Sequence, residues 1–173
     1  MLIITGAMGA GKTAVLGEAS DILARRLIVH AAIDMDALGL AHLPSVATSD
    51  DVLNDHVMFE NLRSVYKNYA ALGVQRFVVA RAIEDDTQLK LCRGIIPAAN
   101  TVVCRLAATI KTMRRRVEMR ELGIRQPEYV ARVEELNSIL DRARLEDFTV
   151  ANENRPLTDV ALEVLVKAGW ISV

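Results

Sequence analysis

The residues with the clearest capacity for chemistry are Gly6, Ala7, Met8, Gly9, Ala10, Gly11, Lys12 and Thr13, which match G-x-x-x-x-G-K-[ST]. Glycines at this spacing let the backbone curl until successive N–H groups converge. A helix starting where the curl ends adds its own unpaired N–H groups and the positive end of its dipole. The ligand suited to such a loop is a phosphate. Lys12 is placed to reach the β and γ phosphates of a nucleoside triphosphate, and the Thr13 hydroxyl to hold a Mg²⁺ ion that bridges them. The competing reading, a Gly-rich turn that only caps a helix, is weakened by context. Residues 1 to 5 are β-compatible and apolar, and Val15, Leu16, Ala19, Ile22 and Leu23 then recur at helical spacing up to Arg25 and Arg26.

A second constellation is Ile33-Asp34-Met35-Asp36, with two carboxylates at the expected end of the second strand. Transfer of a phosphoryl group to a hydroxyl needs a group that takes the acceptor's proton and holds the metal's water shell, and either Asp could serve. Both could equally cap the next turn. Residues 27 to 62 hold Asp34, Asp36, Asp50, Asp51, Asp55 and Glu60 and no Lys or Arg. An acceptor region of that charge favours a neutral or cationic hydroxyl compound, such as a nucleoside, sugar, amino alcohol or aminoglycoside-like drug. A monophosphate acceptor needs matching cations, and only Arg63 and Arg81 are at hand. Asp50, Asp51 and Asp55 are read mainly as a solvated helix face. His30, His42 and His56 lack metal spacing.

Arg81 directly follows the apolar run Phe77 to Ala80, so it should project from the carboxyl edge of a sheet as an acceptor or phosphate contact, or pair with Glu84 or Asp85. Arg114, Arg115, Arg116 and Arg120 lie on an expected helix, Arg116 and Arg120 on one face at i,i+4 spacing. Residues 105 to 144 carry ten basic and six acidic side chains. Arginines there could stabilise charge on the equatorial oxygens of a transition state, or form a solvated face.

These residues must be positioned by elements that the patterning supplies. Apolar strands are expected at 1–5, 27–33, 77–80, 101–106 and 147–151, and helices fill the intervals. Ser49 is the expected cap of a long helix running toward Gly73. Pro127 falls in the first turn of another, whose stripe is Val130, Val133, Ile139, Leu140 and Ala143. Thr158 caps the last, which Gly169 stops. Strands apolar on both faces that alternate with helices define an α/β class with a parallel sheet covered on both sides. No repeat or linker divides 1–173 into two domains. Ligands of such sheets bind beyond the carboxyl ends of the strands.

Composition sets the bounds. With 21 Lys and Arg against 22 Asp and Glu, the chain lacks the basic field on which nucleic-acid affinity depends, and no basic groove suggests a polynucleotide kinase. At 173 residues it can bury roughly 70% of its unfolded surface without disulfides. Cys92 and Cys104 show no metal or redox spacing, so reduced thiols and a cytoplasmic setting are expected. No signal segment opens the chain, and no apolar run reaches the roughly 18 residues of a membrane span. Aromatics make up only 4% of residues. No clear adenine-stacking ring stands out, and Trp170 is read as core.

The chain resembles the small P-loop kinases: the shikimate, gluconate and adenylylsulfate kinases, and especially the chloramphenicol phosphotransferase-like group. The resemblance covers nearly the whole chain. It rests on the phosphate loop, the Asp-x-Asp after strand two, the Arg after strand three and the Arg-rich helix after strand four. It implies a three-layer fold of about five parallel strands, ATP and Mg²⁺ as cofactors, and a lid over ATP at about 109–126. In that lid Arg116 and Arg120 meet the nucleotide, and Gly123 could be the hinge. It also implies that Asp34 lies nearer Mg²⁺ and the transferred phosphate, while Asp36 contacts substrate hydroxyls. The expected partner is a small hydroxyl acceptor, with no nucleic acid or membrane, for a chain that is a monomer or homodimer. The alternatives are a nucleoside monophosphate kinase and a nucleotide-binding regulatory module without a metabolite substrate.

Overall fold

Strand β1 (Leu2–Thr5) is buried at every position and lies at the centre of a five-stranded, all-parallel sheet. The computed structural model describes residues 1–39, 50–98 and 100–172, without the side chains of 50–54. After β1 come α1 (Lys12–Arg25), β2 (Ala31–Asp34), α2 (Met35–Leu38), α3 (Asp50–Ala71), β3 (Phe77–Ala80) and α4 (Asp86–Ile95). The second half supplies β4 (Val102–Ala107), α5 (Ile110–Arg120), α6 (Gln126–Ala143), β5 (Phe148–Ala151) and α7 (Leu157–Lys167). The strand order is β2-β3-β1-β4-β5, with Ile4 in register with Ala80 on one side and Cys104 on the other. From β1 the chain passes to the edge strand β2, returns to β3 beside β1, and then crosses to β4 and β5 on the other side, and the crevice of such a sheet opens at the carboxyl ends of the strands where that direction changes.

The two-residue period of the strands divides the core. Leu2, Ile4, Val78, Ala80, Cys104 and Leu106 pack with residues of α1, α5, α6 and α7, whereas Ile3, Phe77, Val79 and Val103 pack with residues of α3 and α4. Each such aliphatic side chain contributes about 1.5–3 kcal/mol by leaving water. The sequence anticipated this architecture. Pro127 does stand in the first turn of α6, whose stripe is Val133, Leu136 and Leu140. Gly169, at φ 70°, ends α7, with Trp170 N–H bonded to the Leu165 carbonyl and the Trp170 ring packed against the core.

Three expectations need amendment. The apolar run Leu27 to Ile33 is strand only from Ala31. Its first residues close α1 instead: Leu27 takes the left-handed conformation at φ 57°, its N–H bonds the Ala24 carbonyl, and the Ile28 N–H bonds the Leu23 carbonyl. That is a helix-terminating motif normally built on glycine, so apolar composition disguised it. Thr158 is a residue inside α7, not its cap; Pro156 is the boundary, and the Thr158 hydroxyl donates to Glu18 Oε1 at 2.6 Å. Among α6 positions Val130, Ile139 and Ala143 are only half-buried, because the stripe centres on Val133, Leu136 and Leu140. Ser49 and His42 lie outside the described residues. Among those described, no helix is long and apolar enough to cross a membrane.

Candidate nucleotide and acceptor site

The loop from Gly6 to Gly11 joins β1 to α1, and its glycines are required by close neighbours. At φ 77°, Gly9 lies against the Met113 backbone so closely that a Cβ would strike the Met113 carbonyl oxygen. At φ 96°, Gly11 caps α1, and a Cβ there would strike Asn152 Nδ2. Loop carbonyls are tied to neighbouring elements. Asn152 Nδ2 donates to the Ala10 carbonyl at 2.7 Å, and Arg116 donates to the carbonyls of Gly9 at 3.2 Å and Asn152 at 2.9 Å. At the start of α1 there is neither a side-chain cap nor an acidic residue in the first turn. Its N–H groups and dipole are therefore available to an anion.

Lys12 Nζ donates to the Gly6 and Ala7 carbonyls at 3.0 and 3.3 Å. Burial holds its ammonium pKa below the ordinary lysine value, with Asp36 and Asp34 pulling upward and Arg81 and Arg120 adding to the depression. A desolvated cation among converging N–H donors is electrostatically matched to a polyphosphate. Beside it, Thr13 Oγ1 donates to Asp34 Oδ2 at 2.7 Å. Asp34 ends β2 and caps α2, its Oδ1 accepting the Asp36 N–H at 3.1 Å. Sequence distance conceals this pairing; the parallel sheet brings the end of β2 to the start of α1. Among the described residues no cluster of three or more His, Cys, Asp or Glu could hold a metal. A hydroxyl and a carboxylate oxygen 2.7 Å apart fit a hard cation that keeps most of its waters, as Mg²⁺ does beside phosphates.

From the loop a cleft of about 930 Å³ opens between α3, α4 and the α5–α6 connection, with Met8, Lys12, Asp36, Arg81 and Arg120 on its walls. Arg81 extends from the end of β3 and pairs with neither Glu84 nor Asp85. Its Nη1 donates to Asp36 Oδ1 and its Nη2 to Asp55 Oδ1, each at 2.7 Å. Gln88 Nε2 donates to Asp55 Oδ2 at 3.3 Å. Glu84 pairs instead with Arg132 of α6 at 3.0 Å, and Asp85 caps α4.

Arg116 and Arg120 diverge. Arg116 braces the back of the phosphate loop, while Arg120 lines the cleft and its Nε donates to Glu121 Oε1 at 2.7 Å. Gly123 lies in the 121–125 link between α5 and α6, open on all sides. His30 bonds Ser20 and the Ile28 carbonyl, a local structural role. Asp55, read as a solvated helix face, instead lines the cleft and binds Arg81, while Gln88, Arg132 and Asn152 went unread in the sequence. Asn152 had a signal available, as a polar residue directly after an apolar strand at the edge where ligands bind. The other three lie on helices, and only tertiary packing turns them into the cleft.

No protein-family model and no curated protein sequence matches this chain. Solved structures do. The shikimate kinase of Acinetobacter baumannii in complex with shikimate is 16% identical at a TM-score of 0.62, over 99% of this chain and 94% of that one. The APS kinase of Mycobacterium tuberculosis in complex with AMPPNP and APS is 19% identical at 0.63, over 97% and 96%. Its fold is that of the small P-loop kinases. The tunicamycin resistance protein of Deinococcus radiodurans shares this P-loop kinase fold at 15% identity and a TM-score of 0.64, over 98% of this chain and 96% of that one. The α/β class and the overall resemblance read from the sequence therefore hold.

Proposed function

We propose that this protein is an ATP- and Mg²⁺-dependent phosphotransferase that moves the γ-phosphate to a hydroxyl of a small molecule. The observation that carries this reading is the Thr13–Asp34 hydrogen bond, which sets a carboxylate of β2 against the start of α1, two residues before Asp36 on the cleft wall. Lys12 and the N–H groups of Gly6 to Thr13 hold the β and γ phosphates, and Thr13 with Asp34 holds the metal. When bound, Mg²⁺ screens the charge shared between the β and γ phosphates. Asp34 takes the proton of the acceptor hydroxyl as its oxygen bonds to phosphorus and ADP departs with the electron pair of the broken P–O bond. Asp36 and Arg81 orient the acceptor. Arg116 steadies the loop and Arg120 closes over the nucleotide from the lid at 109–126, with Gly123 as hinge. Two buried free cysteines suit a reducing, cytoplasmic setting.

The test is ADP formation from Mg-ATP with and without a panel of nucleosides, sugars, amino alcohols and hydroxylated antibiotics. Acceptor-dependent turnover abolished by Lys12→Ala and Asp34→Ala supports the reading. Tight ATP binding with no acceptor raising turnover overturns it in favour of a regulatory module.

A further inference from the structure

The acceptor end of the cleft is electrically closed. Arg81 is held by Asp36 and Asp55 and Arg132 by Glu84 and Glu135, and toward the lid Arg120 is held by Glu121. Among the described residues of the walls, five Lys and Arg face five Asp and Glu. An acceptor carrying a carboxylate or phosphate must take an arginine from its partners, leaving their carboxylates uncompensated beside the incoming anion. An ammonium finds the charge of its carboxylates already neutralised by arginine. A hydroxyl disturbs neither, since it both donates and accepts. Asp36 and Asp55 retain lone pairs beyond those taken by Arg81, and Arg81 Nε is a buried donor with no partner. The exposed carboxylate edges of Asp36 and Asp55 can take donors.

Resting on the phosphotransferase reading, we propose that the acceptor is a neutral polyhydroxyl compound, a sugar, cyclitol or nucleoside. Asp55 of α3 is the residue that sets this specificity. It neutralises Arg81, is itself held by Gln88 of α4, and so turns a potential anion-binding arginine into a hydroxyl reader. Hydroxyls of the acceptor donate to the exposed edges of Asp36 and Asp55. A site built to hydrogen-bond hydroxyls rejects analogues that leave its polar groups unpaired.

The experiment measures binding separately from turnover. The full chain, held with a non-hydrolysable ATP analogue and Mg²⁺, is titrated calorimetrically with matched pairs: glucose against gluconate, ribitol against ribonate, adenosine against AMP. For the wild type the neutral member of at least one pair binds at least about tenfold tighter than its anionic counterpart. In Asp55→Asn that ratio falls by about tenfold or inverts, because Arg81 gains a free valence; Gln88→Ala moves it the same way by less. An anionic member that binds as well as or better than its neutral partner, a ratio unmoved by Asp55→Asn, or no binding by any member overturns the proposal. If a neutral polyol binds yet yields no ADP from Mg-ATP, it is the phosphotransferase reading that fails, and the polyol preference stands.

Discussion

The hydroxyl of Thr13 and the carboxylate of Asp34 meet at 2.7 Å although one opens α1 and the other closes β2. The contact fastens the start of α1 to the end of β2, two residues from Asp36 of the cleft wall. The groups proposed to hold the metal and to take the acceptor's proton therefore form a single unit. Asp34→Asn keeps the shape and the cap on α2 but removes the base. Its kcat should fall by about 10²–10⁴, a larger loss than the weakening of Mg-ATP binding that follows from removing a charged metal-side oxygen. Thr13→Ala should instead weaken ATP binding in the presence of Mg²⁺ more than in its absence. Steady-state kinetics and calorimetry with and without EDTA distinguish the two.

Gly9→Ala places a methyl against the Met113 carbonyl at a left-handed φ of 77°. The strain alone costs about 1–3 kcal/mol, and relieving it must shift the loop or α5. We expect a lowered Tm together with loss of nucleotide binding. A variant that binds ATP normally would show that the loop does not hold the phosphates in this conformation.

Asn152 ties the segment after β5 to the loop through the Ala10 carbonyl, and its side chain is buried. Asn152→Ala leaves that carbonyl without its partner. Denaturant unfolding should register a loss of about 1–3 kcal/mol, and the KM for ATP should rise more than that for the acceptor.

Glu153 accepts from the Thr112 hydroxyl, the Thr109 N–H and the Thr109 hydroxyl, and these bonds hold its carboxyl below its ordinary value of 4.5. The ionised form is thus favoured in the folded state. Its stabilisation is present above the unfolded value and is lost as pH falls through the folded one. The wild-type Tm should therefore drop more steeply below about pH 4.5 than that of Glu153→Gln, as thermal melts across pH 3–6 would show. Parallel curves would show that the cap on α5 does not depend on this charge.

Cys92 and Cys104 are buried, and burial pushes their thiols up to about 11 and about 12. Neither supplies thiolate near neutrality. Native protein at pH 7.5 should resist iodoacetamide, whereas protein unfolded in guanidinium should take up two labels by mass spectrometry. Rapid native labelling of Cys104 would mean that β4 opens readily.

Residues adjacent in the chain made the glycine-rich loop between β1 and α1 legible, because Gly9, Gly11, Lys12 and Thr13 lie within a short stretch of backbone whose geometry is local. The alternation of apolar strands with amphipathic helices fixed the α/β class for a similar reason: a strand apolar on both faces must be covered on both. The end of α1 misled because Leu27 occupies a conformation usually given to glycine, and its apolar side chain reads as strand. Cleft chemistry followed a different rule. Asp55 and Gln88 on two helices, and Arg81 and Asp36 near two strand ends, fall in separate elements of the chain and carry no mutual spacing signal. The sheet order β2-β3-β1 and the packing of α3 and α4 on one face converge them. Arg116 shows the same division: its charge and helical position were plain in the sequence, but only the approach of α5 to the loop decided that its guanidinium meets the carbonyls of Gly9 and Asn152. Local backbone geometry is written in neighbouring residues, whereas the pairing of charges across a cleft depends on which surfaces the core brings face to face.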